Sequence, residues 1–142
     1  MKPVQGSMTE VGVDPAQVLL AERLTKDLVD CDPSILSLMV VDPIGRVLYV
    51  GRSSRLDESE QVSPELVRVF GTVSKLIFGA ANNATPVMGG TEAIVGIFKK
   101  QKALLVNLPE YNLLLVLRLA RSTNAEYVCD RIRDLLATGT EP

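Results

Sequence analysis

Two thiols, Cys31 and Cys129, and a short acidic run, Asp57, Glu58 and Glu60, are the reactive side chains of a chain with no histidine. Without imidazole there is no Ser-His-Asp triad, Cys-His dyad, HExxH zinc site or imidazole proton shuttle. Two cysteines are too few for a four-thiolate zinc site or a disulfide framework. Cys31 and Cys129 are expected as buried reduced thiols, with a regulatory disulfide as the alternative. The acids fall in a polar stretch, whereas glycoside hydrolysis needs two rigidly opposed carboxylates. Gly71-Thr72-Val73-Ser74-Lys75 and Gly89-Gly90-Thr91 both lack the GxxxxGK[ST] spacing that wraps phosphate oxygens. Tyr49, Tyr111 and Tyr127 are scattered and there is no Trp, so no stacking platform for single-stranded nucleic acid is visible. These residues supply no catalytic, cofactor-binding or metal-binding set, and no cofactor is expected.

The remaining polar candidate is a basic cluster, Lys99, Lys100 and Lys102, joined by Arg118 and Arg121 further along the chain. It reads either as a contact patch for an acidic partner or anionic membrane, or as a solvated tip that guards a hairpin. The chain as a whole has 142 residues and a net charge of −2, which argues against a dedicated nucleic-acid binder. Its longest apolar run, Leu113 to Leu117, is far short of the ~18 residues that cross a bilayer. No apolar segment follows Lys2, so a cytoplasmic protein is expected, and the Asn83-Ala84-Thr85 sequon is a pattern only. Residues 1–13 read as a disordered leader, with Gly6-Ser7-Met8 resembling a cloning scar. Residues 14–138 read as one domain and 139–142 as a tail.

The elements that must position these residues are legible from capping and periodicity. Asp14-Pro15 opens a helix whose Leu20, Leu24 and Leu28 form one stripe, and Asp32-Pro33 stops it. Residues 35–41 and 46–50 form two strands around the turn Asp42-Pro43-Ile44-Gly45. Ser63-Pro64-Glu65 starts a second helix running to about Ala81, and 84–90 reads as a loop. Three strands follow over 91–98, 102–108 and 112–119. A last helix runs from the Asn124 cap through Leu136. Short turns make each strand set an antiparallel meander, and the most apolar strands, 35–41 and 112–119, are expected at the centre. The order predicts an α+β three-layer sandwich: one five-stranded antiparallel sheet with helices on both faces.

The second helix is greasier than one sheet requires. At 100° per residue its apolar positions span an arc of about 200°, where docking on one sheet needs ~100°. Either neighbouring loops cover the surplus or it forms a homodimer seam on this helix. The seam is the expectation, at Val67, Phe70, Ser74, Ile77 and Phe78, with Phe78, Val67 or the Leu76 flank turned to the partner. The strand 91–98 falls near an edge with Ile94 facing one way and Ile97 the other, and an apolar edge needs a partner. Ile94 and Ile97 are therefore added to the expected interface.

The run Ser34-Ile35-Leu36-Ser37-Leu38-Met39-Val40-Val41-Asp42-Pro43-Ile44-Gly45-Arg46-Val47-Leu48-Tyr49-Val50 resembles the opening hairpin of roadblock/dynein light-chain domains: apolar run, Asp, two residues, Gly, apolar run. The later meander and closing helix fit the same template over residues 14–137, and small archaeal roadblock-like proteins are similar. The resemblance implies a homodimer whose sheets join edge to edge, with the second helices packed on one side. It also implies a non-enzymatic scaffold or regulator, at most a GTPase-activating partner without its own catalytic site, serving a Ras-like small GTPase or a larger assembly. The alternative is a small-ligand sensor of profilin-like or PAS-like architecture, holding an apolar metabolite between helix and sheet.

Overall fold

The computed structural model describes residues 6–7, 13–54 and 63–138. The elements are β1 (Gly6–Ser7), α1 (Pro15–Leu28), β2 (Ile35–Val41), β3 (Val47–Arg52), α2 (Pro64–Ala81), a 3-10 turn (Asn82–Ala84), α3 (Thr85–Met88), β4 (Ala93–Ile97), β5 (Gln101–Leu108), β6 (Leu113–Ala120) and α4 (Ala125–Thr138). All pairings are antiparallel, in the order β1-β3-β2-β6-β5-β4. The five long strands and the layers match the expected α+β sandwich, and β2 and β6 lie at the centre.

Local chemistry sets the ends of the first two long helices. The Asp14 carboxylate accepts from the Ala16 N–H and the Ser63 hydroxyl from the Leu66 N–H, each just before a proline in the first turn. The hairpin between β2 and β3 is held by Asp42, 3% exposed. Its Oδ1 accepts from the Ile44 and Arg46 N–H groups, and its Oδ2 from Arg46 Nε at 2.8 Å. Gly45 completes the turn at φ +94°, a conformation open to glycine and strained for other residues.

Two apolar clusters sit on the two faces of the sheet. The larger joins Ala21, Leu24 and Leu28 of α1 and Val128, Cys129, Ile132 and Leu136 of α4 to Leu38, Val40, Leu104, Val106, Leu115 and Leu117. The smaller joins Val67 and Phe78 of α2 to Met39, Val41, Val47, Val50, Leu105, Leu114 and Val116. A bulge in β3 opposite Val40 and Val41 sends Leu48 and Tyr49 toward the first cluster, and Val47 and Val50 toward the second.

Two stretches depart from the sequence reading. Gly6–Ser7, placed in a disordered leader, instead pair with Val50 and Tyr49 of β3 and shield that edge. Residues 1–5, 8–12 and 139–142 of the expected leader and tail lie outside the described residues, as do Asp57, Glu58 and Glu60. Residues 82–88, read as turn and loop, form a 3-10 turn and a one-turn helix in which the Thr85 hydroxyl donates to the Asn82 carbonyl.

Candidate functional site

The face of the sheet beneath α2 is arranged in transverse rows set by strand register. Arg52, Ser37, Arg118, Ala103 and Gly96 form the first row across β3, β2, β6, β5 and β4. Val50, Met39, Val116, Leu105 and Ile94 form the second. Val47, Val41, Leu114 and Asn107 form the third, nearest the β2–β3 hairpin. α2 presses on the third row: a Cβ on Gly71 would stand 2.6 Å from Val47 Cγ2 and 3.0 Å from the Gly45 carbonyl oxygen. The first two rows are left to one side of the helix as the floor of a groove of about 640 Å³.

The buried stripe of α2 is Val67, Gly71, Ser74 and Phe78. On a helical projection these four cluster at one rim of the apolar arc, about 80–140° from Leu66. The docking face is therefore narrow, and the bulk of the arc points away from the sheet. Leu66, Val69, Phe70, Val73, Leu76 and Ile77 are all exposed, Leu76 to 67%.

The placement of Val67, Ser74 and Phe78 corrects the sequence reading, which turned Val67 and Phe78 outward. They are 4%, 6% and 5% exposed against their own sheet. The reason is the hydrogen-only side chain of Gly71, which lets the helix approach along that rim. Phe70 and Ile77 are exposed and line the groove. Ile94 is half-buried on the groove side, packed against the smaller cluster, whereas Ile97 is exposed on the opposite face. β4 is the last strand of the sheet, so among the described residues one row of its backbone groups has no neighbouring strand. Val95, Ile97 and Phe98 stand exposed along it.

Basic residues converge at one end of the groove. Lys100, Arg118 and Arg52 line it, whereas the Lys102 side chain is on the opposite face of the sheet with its register partners Ile97 and Leu119. Arg118 donates from Nε to Ser37 Oγ at 2.9 Å and from Nη1 to Gln101 Oε1 at 3.2 Å. Lys102 Nζ donates to the Thr123 carbonyl, while Lys99 and Lys100 are exposed at the β4–β5 turn. Arg52 and Ser37 were not singled out in the sequence. Their signal is a break in strand alternation, where a polar residue occupies a position that points toward α2.

The two thiols belong to the opposite layer. Cys129 is buried in the α1/α4 cluster and Cys31 packs half-buried against it, both as free cysteines. Arg131 Nε donates to the Cys31 carbonyl and ties α4 to the end of α1. Burial pushes the Cys31 thiol above its ordinary value, with the Arg131 cation working against the shift. Among the described residues no cluster of three or more acidic or thiol side chains could hold a metal ion. None of their helices is long and apolar enough to cross a membrane.

The fold is similar to that of solved structures. A Roadblock/LC7 domain from Streptomyces avermitilis superposes with a TM-score of 0.63 at 14% identity, covering 81% of this chain and 90% of that one.

The chain has the roadblock fold.

Two further roadblock-like matches are MglB structures. MglB with tetrameric arrangement gives a TM-score of 0.65 at 14% identity over 91% of this chain and 95% of that one. The gliding protein MglB from Thermus thermophilus gives 0.63 at 14% identity over 94% and 96%. No family model matches the sequence. No curated protein matches it either. At this identity the likeness is one of roadblock architecture, carried by topology and layers with little residue-for-residue correspondence.

Proposed function

We propose that this roadblock-fold chain is a homodimeric, non-enzymatic scaffold or regulatory subunit. It acts in the cytoplasm by surface recognition of a Ras-like small GTPase or of a larger assembly. The observation that carries the reading is the unpartnered face of α2. Six large apolar side chains of that helix are exposed, and β4 is an end strand of the same sheet. Contiguous apolar surface of this kind marks association sites, and an open apolar edge strand is stabilised by pairing with another strand.

In the proposed dimer the β4 strands of two copies pair edge to edge and the two α2 helices pack over the seam. A two-fold interface of this type uses the same patch twice. Phe70, Ile77, Leu76 and Ile97 are its contact residues, and Ile94 packs behind them. Lys99 and Lys100 lie at the end of the β4–β5 turn, where they can meet acidic groups of a GTPase.

Sedimentation velocity across a dilution series tests the dimer, with Leu76→Asp as the disrupting variant. A dimer that becomes monomeric in Leu76→Asp with unchanged circular dichroism is expected. A monomer at all concentrations overturns the reading. A pull-down from host lysate with GTP or GDP added then tests the GTPase. Capture of one small GTPase in a nucleotide-dependent manner is expected, and equal recovery with an unfolded-chain control counts against it.

A further inference from the structure

The groove carries an electrostatic asymmetry that self-association does not require. Its lining holds the cations Arg52, Lys100 and Arg118 and, among the described residues, no carboxylate, in a chain of net charge −2. The floor beside them is apolar: Met39, Val50, Val116, Leu105 and Ile94. Ser37 stands between the two arginines in the first row, which puts their Cα atoms about 10 Å apart across three strands.

Arg118 is held by Ser37 and Gln101. Arg52 is not held in this way. Its Nε and Nη1 are shielded from solvent and, among the described residues, meet no hydrogen-bond acceptor. Donors taken from water without an acceptor are costly, and more so on a charged group. A carboxylate meets a guanidinium with two oxygens in matching geometry, and thereby relieves that cost.

We propose that the groove binds a small apolar carboxylate, an aliphatic acid of medium chain length. The head group lies at Arg52 beside Ser37, and the chain runs over Met39, Val50, Val116 and Leu105 beneath Phe70 and Ile77. A volume of about 640 Å³ is in the range of small-molecule sites, which combine apolar walls with few orienting polar groups. A neutral amphiphile would fill the apolar floor but leave Arg52 unanswered. An inorganic anion would answer Arg52 and leave the floor exposed. The amphiphilic acid satisfies both. This site goes beyond the dimer reading and does not depend on it.

The test is titration of the full chain, by calorimetry and by amide NMR shifts, with octanoate, decanoate and decanol below their aggregation concentrations. Sedimentation is run on the same samples. The expected result is saturable binding of one acid per chain. Affinity should rise about fourfold per added methylene, and decanol should bind at least tenfold more weakly than decanoate. Arg52→Gln should erase the difference between acid and alcohol while keeping its melting temperature near wild type. If that variant does not fold, Arg52→Met is compared in its place. No saturable binding, equal binding of acid and alcohol, or an unchanged preference in the Arg52 variant overturns the proposal. Dissociation of a dimer in step with saturable acid binding supports the site and shows that the groove and the seam overlap. Binding of decanoate by a chain that is monomeric throughout leaves this proposal standing and removes only the dimer.

Discussion

Gly71 of α2 lies directly on Val47 of β3: a single added carbon would come within 2.6 Å of the valine methyl. This contact decides which rim of the helix faces the sheet, and so which apolar side chains remain outside. Gly71→Ala gains up to ~1 kcal/mol of helix propensity. It also forces overpacking that costs about 1–3 kcal/mol. Urea unfolding is expected to show a net loss of up to about 2 kcal/mol, and a more stable variant would mean that α2 can lift without penalty.

Phe78 and Leu76 sit two residues apart on α2 with opposite fates, 5% and 67% exposed. Phe78→Ala is expected to cost about 3–5 kcal/mol of stability, because it empties a buried aromatic site. Leu76→Ala should stay within ~0.5 kcal/mol of wild type when the monomer is compared, yet weaken self-association. Thermal melts paired with sedimentation separate the two effects. The reverse pattern would exchange the roles of the two faces.

Asp42 holds the β2–β3 turn with two backbone N–H donors and the Arg46 guanidinium. Asp42→Ala leaves these donors unanswered at a nearly buried position, and a loss of about 2–4 kcal/mol is expected from charged hydrogen bonds of this kind. Asp42→Asn keeps an oxygen for the two N–H groups but sets an amide donor against Arg46 Nε, so an intermediate loss is expected. Denaturant melts of the pair check the order. Equal losses would mean that the backbone contacts carry none of the effect.

Burial holds the Cys31 thiol protonated to a higher pH than an ordinary cysteine. The reactive thiolate is therefore scarcer in the folded chain at about pH 8 than in the unfolded one. Iodoacetamide should label Cys31 slowly in native protein and quickly in denaturant, with the native rate climbing as pH rises through the upward-shifted pKa. Rapid native labelling at about pH 8 would show that the α1 end opens to solvent.

The ends of α1 and α2 were legible because Asp14-Pro15 and Ser63-Pro64 act within one turn of chain. The central strands were legible because β2 and β6 are apolar at nearly every position, as burial on both faces demands. The one-turn helix at 85–88 was hidden by Asn82, Asn83 and Pro86, which read as punctuation when the window is longer than the element. The docking rim of α2 was hidden for a different reason. A wide apolar arc does not say which part touches the sheet, and the deciding residue, Gly71, adds nothing to an apolar stripe. The groove was partly visible. Arg118 and Lys100 stood out as charges, but their convergence with Arg52 and Ser37 depends on register between strands far apart in sequence.

The outer row of β4 offers amides and carbonyls, groups common to every polypeptide. Such a ladder measures spacing and direction but cannot distinguish kin from stranger. In the proposed dimer, choosing a mate among related chains would therefore fall to the side chains flanking that margin, Ile97, Phe98 and the outward residues of α2. A few exchanges there would be enough to redirect pairing while the architecture stays intact.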